Sequence, residues 1–190
     1  MNQVLIAYES PYGYTTQIAN FIKDKLEEYE LETVVIDVIR SKNKEIYPLA
    51  QYKGIILGTS TKISAFKKLK KTFFKKDLAQ YKDDSHYVAV FTNSPSNLEM
   101  LVEPDDKYMQ YIIKKLGFIP DLCEVFNPVL DFTPFSPLTS DNIDLYRIIC
   151  KKKLIQNGIE VDLNGVNDFR DWKSIEEFAD NFSALLVDIN

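Results

Sequence analysis

A short segment near the amino terminus, running from Ser10 to Thr16, concentrates groups that could bind an anion. Its sequence, SPYGYTT, supplies hydroxyl side chains and one glycine and contains no lysine or arginine. It follows an apolar run and precedes an amphipathic stretch, so it leads from a strand into the first turn of a helix. There the N–H groups have no acceptors within the helix and the helix dipole is positive. The segment therefore predicts a site for a phosphate held by neutral donors, without a metal.

Other phosphate motifs are missing from the sequence. Neither a G-x-x-x-x-G-K-[ST] loop nor a G-x-G-x-x-G fingerprint follows the first apolar run, which argues against ATPase and NAD-binding functions. A receiver domain would need an aspartate at the end of the third predicted strand, where this chain has Leu57-Gly58-Thr59. A simpler interpretation stays open, in which the segment is a tight turn with a threonine cap and no ligand.

Two further polar segments follow predicted strands, and they favour a ligand site over a simple turn. Thr59 to Lys62 follows the third strand, and Thr92 to Ser94 follows the fourth. The carboxyl ends of parallel strands meet at one edge of a sheet, where ligands of such folds bind. We therefore predict that the three segments form one site.

The elements that position these segments alternate between short Val- and Ile-rich runs and amphipathic stretches, the pattern of a parallel sheet covered by helices on both faces. Predicted strands span residues 3–8, 31–39, 54–58, 86–91 and 122–130, with Pro128 marking an edge or strand end. Predicted helices span residues 15–28, a lysine-rich stretch around 66–74, 104–116, 142–156 and 172–187.

A late insertion interrupts this alternation. Prolines and polar residues at 131–141 delay the next element, and 159–169 is a polar excursion with room for a short hairpin. The helix between them offers Ile143, Tyr146, Ile148 and Ile149 for burial. We predict a single domain, residues 1–190, with an α/β, three-layer doubly wound sheet of five parallel strands in the order 2-1-3-4-5 and an insertion at about 131–170.

Composition excludes several classes of protein. At 190 residues with 45% hydrophobic residues the chain can bury a sizeable core, and a net charge of −5 argues against a dedicated nucleic-acid binder. The apolar runs are too short to span a bilayer, and the amino terminus does not resemble a secretory signal. Cys123 and Cys150 have no metal-ligand spacing, so we expect reduced thiols in the cytoplasm. His86, the only histidine, begins a strand away from the three segments, and we assign no catalytic residue.

The first strand and its loop resemble the flavodoxin signature, an apolar strand followed by S/T-x-T-G-x-T. Ser10, Gly13 and Thr15 match it, whereas Tyr12 replaces the usual threonine. The segments after the third and fourth strands are similar to those that flank the flavin ring in that family. The resemblance implies FMN as the cofactor, bound by Ser10, Pro11 (which has no N–H), Tyr12, Gly13, Tyr14, Thr15, Thr16, Thr59, Ser60, Thr61, Lys62, Thr92, Asn93 and Ser94.

Within flavodoxin-domain proteins, the chain resembles the menaquinone-dependent protoporphyrinogen dehydrogenase group. The features are residues 117–123 before the fifth strand, the Lys151-Lys152-Lys153 helix of the insertion and the Asp171-Trp172 start of the last helix. The Arg-Tyr-Gly-His-like stretch of that group is replaced by residues 61–65. The resemblance implies an FMN redox protein, either an electron carrier or a quinone- or porphyrinogen-linked oxidoreductase. Tyr12, Tyr14 and Phe66 are candidates for stacking on the ring.

The alternative function is a flavodoxin-fold binding or scaffold module that has lost FMN, which Pro11 and Tyr12 favour. Residues 62–82 carry eight lysines and one acid. Such a run is ordinarily a solvated helix face, and the more specific hypothesis is a docking surface for an acidic redox partner or, if the protein is peripheral to a membrane, for anionic lipid. Its lysines are Lys67, Lys68, Lys70, Lys71, Lys75 and Lys76, beside Lys62 and Lys82.

Overall fold

The main sheet has five parallel strands. A computed structural model describes residues 3–40, 49–59, 78, 81–82, 85–93 and 107–187. The strands pair in the order β2-β1-β3-β4-β5, which confirms the predicted fold class and strand order. They are β1 (Gln3–Glu9), β2 (Glu32–Asp37), β3 (Gly54–Thr59), β4 (Tyr87–Asn93) and β5 (Leu122–Phe126).

Four α-helices lie within the described ranges. They are α1 (Tyr14–Glu28), α2 (Lys107–Leu116), α3 (Ser140–Ile149) and α4 (Trp172–Val187). Helix α3 continues through a π-helical turn, Cys150–Leu154, into a 3-10 turn, Ile155–Asn157. The predicted lysine-rich helix lies outside the described residues. Of the helices that the structure describes, none combines the length and apolar composition needed to cross a bilayer.

The three central strands of the sheet, β1, β3 and β4, are buried on both faces, as their continuous apolar sequences predict. Along β1, Val4, Ile6 and Tyr8 face a cluster that includes buried residues of α1 and α4. Leu5 and Ala7 face a second cluster on the other side. Side chains alternate between the two faces of a strand, so a strand covered on both sides must be apolar throughout. Polar side chains can then emerge only where the strands end.

The fifth strand is shorter than predicted. It ends at Phe126, whereas the sequence pattern extended it to residue 130, and Pro128 separates it from β6 (Val129–Asp131). Proline lacks the N–H that a continuing ladder needs. Strand β6 pairs antiparallel with β7 (Val166–Asp168) in a separate two-stranded sheet. The predicted hairpin within 159–169 is therefore wrong, because the one strand in that stretch pairs with a distant segment.

The insertion has a small core of its own. Helix α3 and the turns after it pack on β6 through the buried side chains of Leu130, Phe132, Leu138, Tyr146, Cys150 and Leu154. Ile143 and Ile149 are partly buried against this cluster. Ile148, which the sequence pattern offered for burial, is 52% exposed and faces away from it. The Arg147 guanidinium donates to the backbone carbonyl oxygens of Leu163 (2.9 Å) and Phe132 (3.3 Å), closing the insertion around its core.

Gly58 allows β3 and β4 to pack against a cluster of three phenylalanines. A Cβ at this position would meet the Phe91 ring, with Cε1 at 2.8 Å, and the Cβ of Tyr8 at 3.0 Å. Phe91 is fully buried, and its ring contacts those of Phe126 and Phe178 with centroids 5.5 and 6.1 Å away. The ring therefore has little room to move.

We expect Gly58→Ala to lower the free energy of unfolding by about 1–3 kcal/mol, because overpacking a filled core forces side chains off their rotamers. Urea unfolding followed by circular dichroism measures the change. Combining it with Phe91→Leu should give a loss smaller than the sum of the two single variants, since the smaller side chain makes room. Additive losses would show that the Phe91 ring is not the obstacle.

Candidate functional site

The loop from β1 to α1 turns sharply at Gly13. This glycine has φ +88°, a left-handed conformation that residues with a Cβ rarely adopt, and a Cβ placed there would meet no atom within 4 Å. Ser10 is fully buried, and its hydroxyl oxygen accepts a hydrogen bond from the backbone N–H of Thr16 at 3.1 Å. The first turn of α1 is thus capped by a serine that precedes the helix, and that turn contains no acidic residue.

Thr15 links this loop to the end of β4. Its hydroxyl donates to the Asn93 side-chain oxygen at 2.9 Å, and both side chains are buried. The bond joins residues 78 positions apart in the chain. The predicted juxtaposition of the first and third segments is therefore present, through a contact between two of the predicted residues. Thr15 is not the cap of α1 that the simple-turn interpretation requires.

The structure places Thr59 and Thr92 inside strands rather than in loops. They are the direct neighbours Thr59↔Thr92 in the register of β3 and β4, and they are 1% and 0% exposed. Successive side chains alternate between faces, so Thr92 lies on the opposite face from Asn93, which meets α1. The site consequently reaches both sides of the sheet edge.

Three hydroxyl oxygens at this edge are buried without a hydrogen-bond partner in the part of the chain that the structure describes. They belong to Thr16, Thr59 and Thr92. A buried hydroxyl without a partner costs about 1–3 kcal/mol, so native proteins normally satisfy it. A polar ligand could satisfy all three, one at the start of α1 and two in the last residues of β3 and β4. The donor set therefore fits an extended ligand with an anionic end and polar ring atoms.

The remaining predicted residues divide into two groups. Pro11 is exposed, whereas Tyr12, Gly13 and Tyr14 are partly buried. Tyr12 packs against the core of the insertion, so its ring covers that core. The other group lies outside the described residues and comprises Ser60, Thr61, Lys62, Phe66, Ser94 and the lysine run from Lys67 to Lys76.

Sequence reasoning missed a polar cluster that forms around Tyr14. The Tyr14 hydroxyl donates to the Asp131 carboxylate at 3.5 Å, a long contact, and the Arg170 guanidinium lies 6.0 Å from the centre of the Tyr14 ring. Arg170 also stacks on Trp172 at 4.5 Å and donates to the Gln17 side chain at 2.8 Å. The contacts of Tyr14 with Asp131 and of Arg170 with Gln17 bridge more than one hundred residues of sequence, and no local motif signals them.

The cluster contains one ion pair and a second carboxylate, that of Asp131. Arg170 forms a two-pronged ion pair with Asp168, with nitrogen–oxygen distances of 2.8 and 2.6 Å. Hydrogen bonds from Arg170 lower the pKa of Asp168 below its usual 3.8. Burial, reinforced by the Asp131 carboxylate, raises the pKa of Tyr14 above 10.0, so the phenol stays neutral under ordinary conditions. The loop is therefore attached to the insertion by a neutral phenol and a paired arginine.

The histidine and the two cysteines lie apart from this edge, whereas the carboxylate of Glu9 lies at it. His86 comes just before β4, at the opposite end of the strand from Asn93, and its ring stacks on Tyr81 with centroids 4.7 Å apart. Burial raises the pKa of both cysteine thiols, Cys123 and Cys150, to about 11, which leaves them protonated at neutral pH. Glu9, which sequence reasoning did not single out, is 5% exposed and pairs with Thr59 in the register. No group of three metal-ligating side chains occurs among the residues described.

Removing the Thr15 hydroxyl should destabilise the protein even without a ligand. We expect Thr15→Val to lower the free energy of unfolding by about 1–3 kcal/mol, because the buried Asn93 oxygen loses its donor. Urea unfolding of the ligand-free protein measures this, with Thr15→Ser as the control that keeps the hydroxyl. In a cycle with Asn93→Ala, a coupling energy near zero would contradict the bond.

The Asp168–Arg170 pair predicts a specific dependence of stability on acid. Because the folded protein holds the pKa of Asp168 below 3.8, the stabilisation is complete above that pH and is lost as the pH falls through the lowered value. The wild type should therefore lose more stability than Asp168→Asn below pH 3.8, as measured by thermal unfolding. Glu160→Gln, which removes an exposed carboxylate of the same insertion, should follow the wild type. Parallel curves for the wild type and Asp168→Asn would rule out this contribution.

The chain is similar to known proteins of one domain type. A family model for the flavodoxin domain matches residues 5–153, whereas curated protein sequences gave no significant match. Solved structures with a similar fold include a flavodoxin mutant from Pseudomonas aeruginosa (13% identity, 97% of this chain, 98% of that chain, TM-score 0.48). Oxidised flavodoxin 2 from Bacillus cereus is similar as well (20% identity, 97% of each chain, TM-score 0.47). The chain spans only 30% of the Flv1 flavodiiron core from Synechocystis sp., which aligns over 65% of this chain at 18% identity with a TM-score of 0.47. Since the domain match extends over most of the sequence, the chain belongs to the flavodoxin-domain family.

Proposed function

We propose that this protein binds FMN at the carboxyl edge of its sheet and takes part in electron transfer. One observation carries the proposal: the hydroxyls of Thr16, Thr59 and Thr92 are buried at that edge without partners among the described residues. They lie where the flavodoxin signature ends and where the neighbouring strands end. Membership of the flavodoxin-domain family supports FMN as the ligand that supplies the missing acceptors and donors.

The phosphate end is assigned to the β1–α1 loop. Ser10 accepts from the Thr16 N–H, so its own hydroxyl hydrogen stays available for an anion. The Thr16 hydroxyl and the first N–H groups of α1 supply further neutral donors, and the helix dipole favours negative charge there. Thr15 donates to Asn93, so in this arrangement it orients the loop.

The ring end is assigned to the ends of β3 and β4. Thr59 and Thr92 offer buried hydroxyls there, and the segments that continue from them, Ser60 to Lys62 and Ser94, are proposed to complete the contacts. FMN, when bound, supplies the redox chemistry, and the protein sets its orientation, its electrostatic surroundings and the access of partners. Because the cofactor supplies the redox chemistry, the chain needs no acid–base pair, and we assign no catalytic residue.

The partner of the flavin is proposed at the level of chemical class. Electrons pass to a redox partner protein or to a quinone-type small molecule, and the cytoplasm is the proposed location. The insertion favours a quinone- or porphyrinogen-linked oxidoreductase as a second candidate, because Tyr12 and Tyr14 attach it directly to the phosphate loop. In this second candidate, the insertion is proposed to form one wall of the substrate pocket. The lysine run from Lys67 to Lys76 is a proposed docking surface for an acidic partner.

A scaffold module that has lost FMN is the competing function. Pro11 and Tyr12 favour it, since one lacks an N–H and the other replaces a small hydroxyl with a ring that packs on the insertion. The two functions differ in what the buried hydroxyls do. A scaffold gains nothing from them, whereas a flavoprotein uses them when its ligand binds.

We expect Thr16→Val and Thr59→Val to weaken FMN binding while leaving the ligand-free protein equally or more stable. Replacing an unpartnered buried hydroxyl with a methyl removes a desolvation penalty, whereas the complex loses a hydrogen bond. For Thr16, whose partner would be a charged phosphate, the loss should be roughly tenfold or more in Kd. Quenching of flavin fluorescence during titration of the apoprotein gives Kd, and urea unfolding gives stability.

The matched control is Thr33→Val, at the amino end of β2, where the hydroxyl donates to the Leu31 carbonyl oxygen. It should leave FMN affinity unchanged. A wild-type protein that binds no FMN would refute the proposal and favour the scaffold. If FMN binds, reduction of a soluble quinone analogue by the reduced protein distinguishes the oxidoreductase from a carrier that needs a protein partner.

A further inference from the structure

We propose that the exposed face of the α3 helix and its continuing turns docks on an anionic lipid bilayer. This docking face consists of Leu145, Ile148, Lys151, Lys152 and Ile155. It belongs to the insertion, and the proposal does not depend on FMN binding. It is also a different segment of the sequence from the lysine run at 67–76.

The aliphatic side chains of the docking face follow helical spacing. Leu145, Ile148 and Ile155 are 44%, 52% and 43% exposed. With Lys152 they succeed one another at intervals of three, four and three residues, which places them along one side of the helix. The opposite side carries the buried residues Tyr146, Cys150 and Leu154.

Exposed apolar side chains are concentrated in this part of the molecule. Of the eight large hydrophobic residues that are exposed within the described ranges, five belong to the insertion. Besides the three of the docking face, they are Phe135, at 94% exposure, and Val166. Single exposed hydrophobics are ordinary, but a cluster on one element indicates an interaction surface.

Positive charge accompanies this apolar stripe in a protein of net charge −5. Lys151 and Lys152 are exposed and form no ion pair within the described part of the chain, and Lys153 is exposed beside them. The carboxylates of the same helix, Asp141 and Asp144, lie in its first two turns, and Asp144 pairs with Arg147 at 3.7 Å. The basic end of the docking face is therefore the end that an anionic surface would attract.

The residue types favour lipid over protein as the occupant. Protein interfaces are enriched in aromatic residues and arginine and depleted in lysine, and their strongest contacts come from Trp, Tyr and Arg. The docking face has none of those three types and consists of Leu, Ile and Lys. Aliphatic side chains can enter the headgroup region while lysine stems run alongside them and keep their ammonium groups at the phosphates.

Flotation of the full chain with vesicles tests the proposal. We expect binding to phosphatidylcholine vesicles that contain phosphatidylglycerol, little binding to phosphatidylcholine alone, and release by salt, because screening weakens contacts at the surface. Ile148→Ser with Ile155→Ser should lower the partition coefficient roughly tenfold, by removing apolar area. Lys151→Gln with Lys152→Gln should lower it by a similar factor.

The matched control is Ile119→Ser, which removes an isoleucine that is 73% exposed just before β5, outside the insertion. It should bind like the wild type. All these side chains are exposed, so every variant should keep the melting temperature of the wild type, and thermal unfolding checks this. The proposal is overturned if the wild type does not float with anionic vesicles, which is the result expected if the docking face binds an acidic protein instead. It is also overturned if the Ile148/Ile155 variant binds as well as the Ile119 control.

Discussion

Burial of the sheet on both faces is the constraint on which the rest of the structure depends. Apolar side chains fill both sides of β1, β3 and β4, so polar groups are excluded from the length of these strands and appear at their ends. At the strand ends the side chains are still buried, but fewer apolar side chains surround them. Thr15, Thr59, Thr92 and Asn93 occupy this boundary. The architecture thus creates a polar, water-poor edge before any ligand is considered, and the edge suits a cofactor with a phosphate and a polar ring.

Local patterns in the sequence were enough to predict the sheet and the first loop. The residues of β1 and of the loop after it are contiguous in the sequence. The motif that they form is therefore recognisable from spacing within about ten residues. The sequence could not place what depends on pairing over long distances. Strand β6 pairs with β7, which lies more than thirty residues later in the sequence. Pro128 indicated that a strand ends nearby, but it did not indicate that the chain then begins a second sheet. The same holds for the contacts of Arg170 with Tyr14 and Gln17, which become its neighbours only after folding.

The insertion and the first loop depend on each other. Tyr12 contributes its ring to the insertion's core, and Tyr14 reaches Asp131 and Arg170. The departure of Tyr12 from the flavodoxin signature therefore has a structural reason, because a small threonine could not fill that position. The loop therefore lacks the small hydroxyl that the threonine of the signature would supply. Its geometry is then supported from two sides, by Asn93 on the sheet and by the aromatic contacts of the insertion.

The π-helical turn at Cys150–Leu154 keeps one side of the α3 helix against the core of the insertion. In a regular α-helix, residues four apart drift around the axis by about 40° per step, so a row at that spacing winds away from its partner. A wider turn reduces this drift, and Tyr146, Cys150 and Leu154 all stay buried in one core. The helix of the insertion therefore stays on its core from Tyr146 to Leu154 and does not rotate away from it.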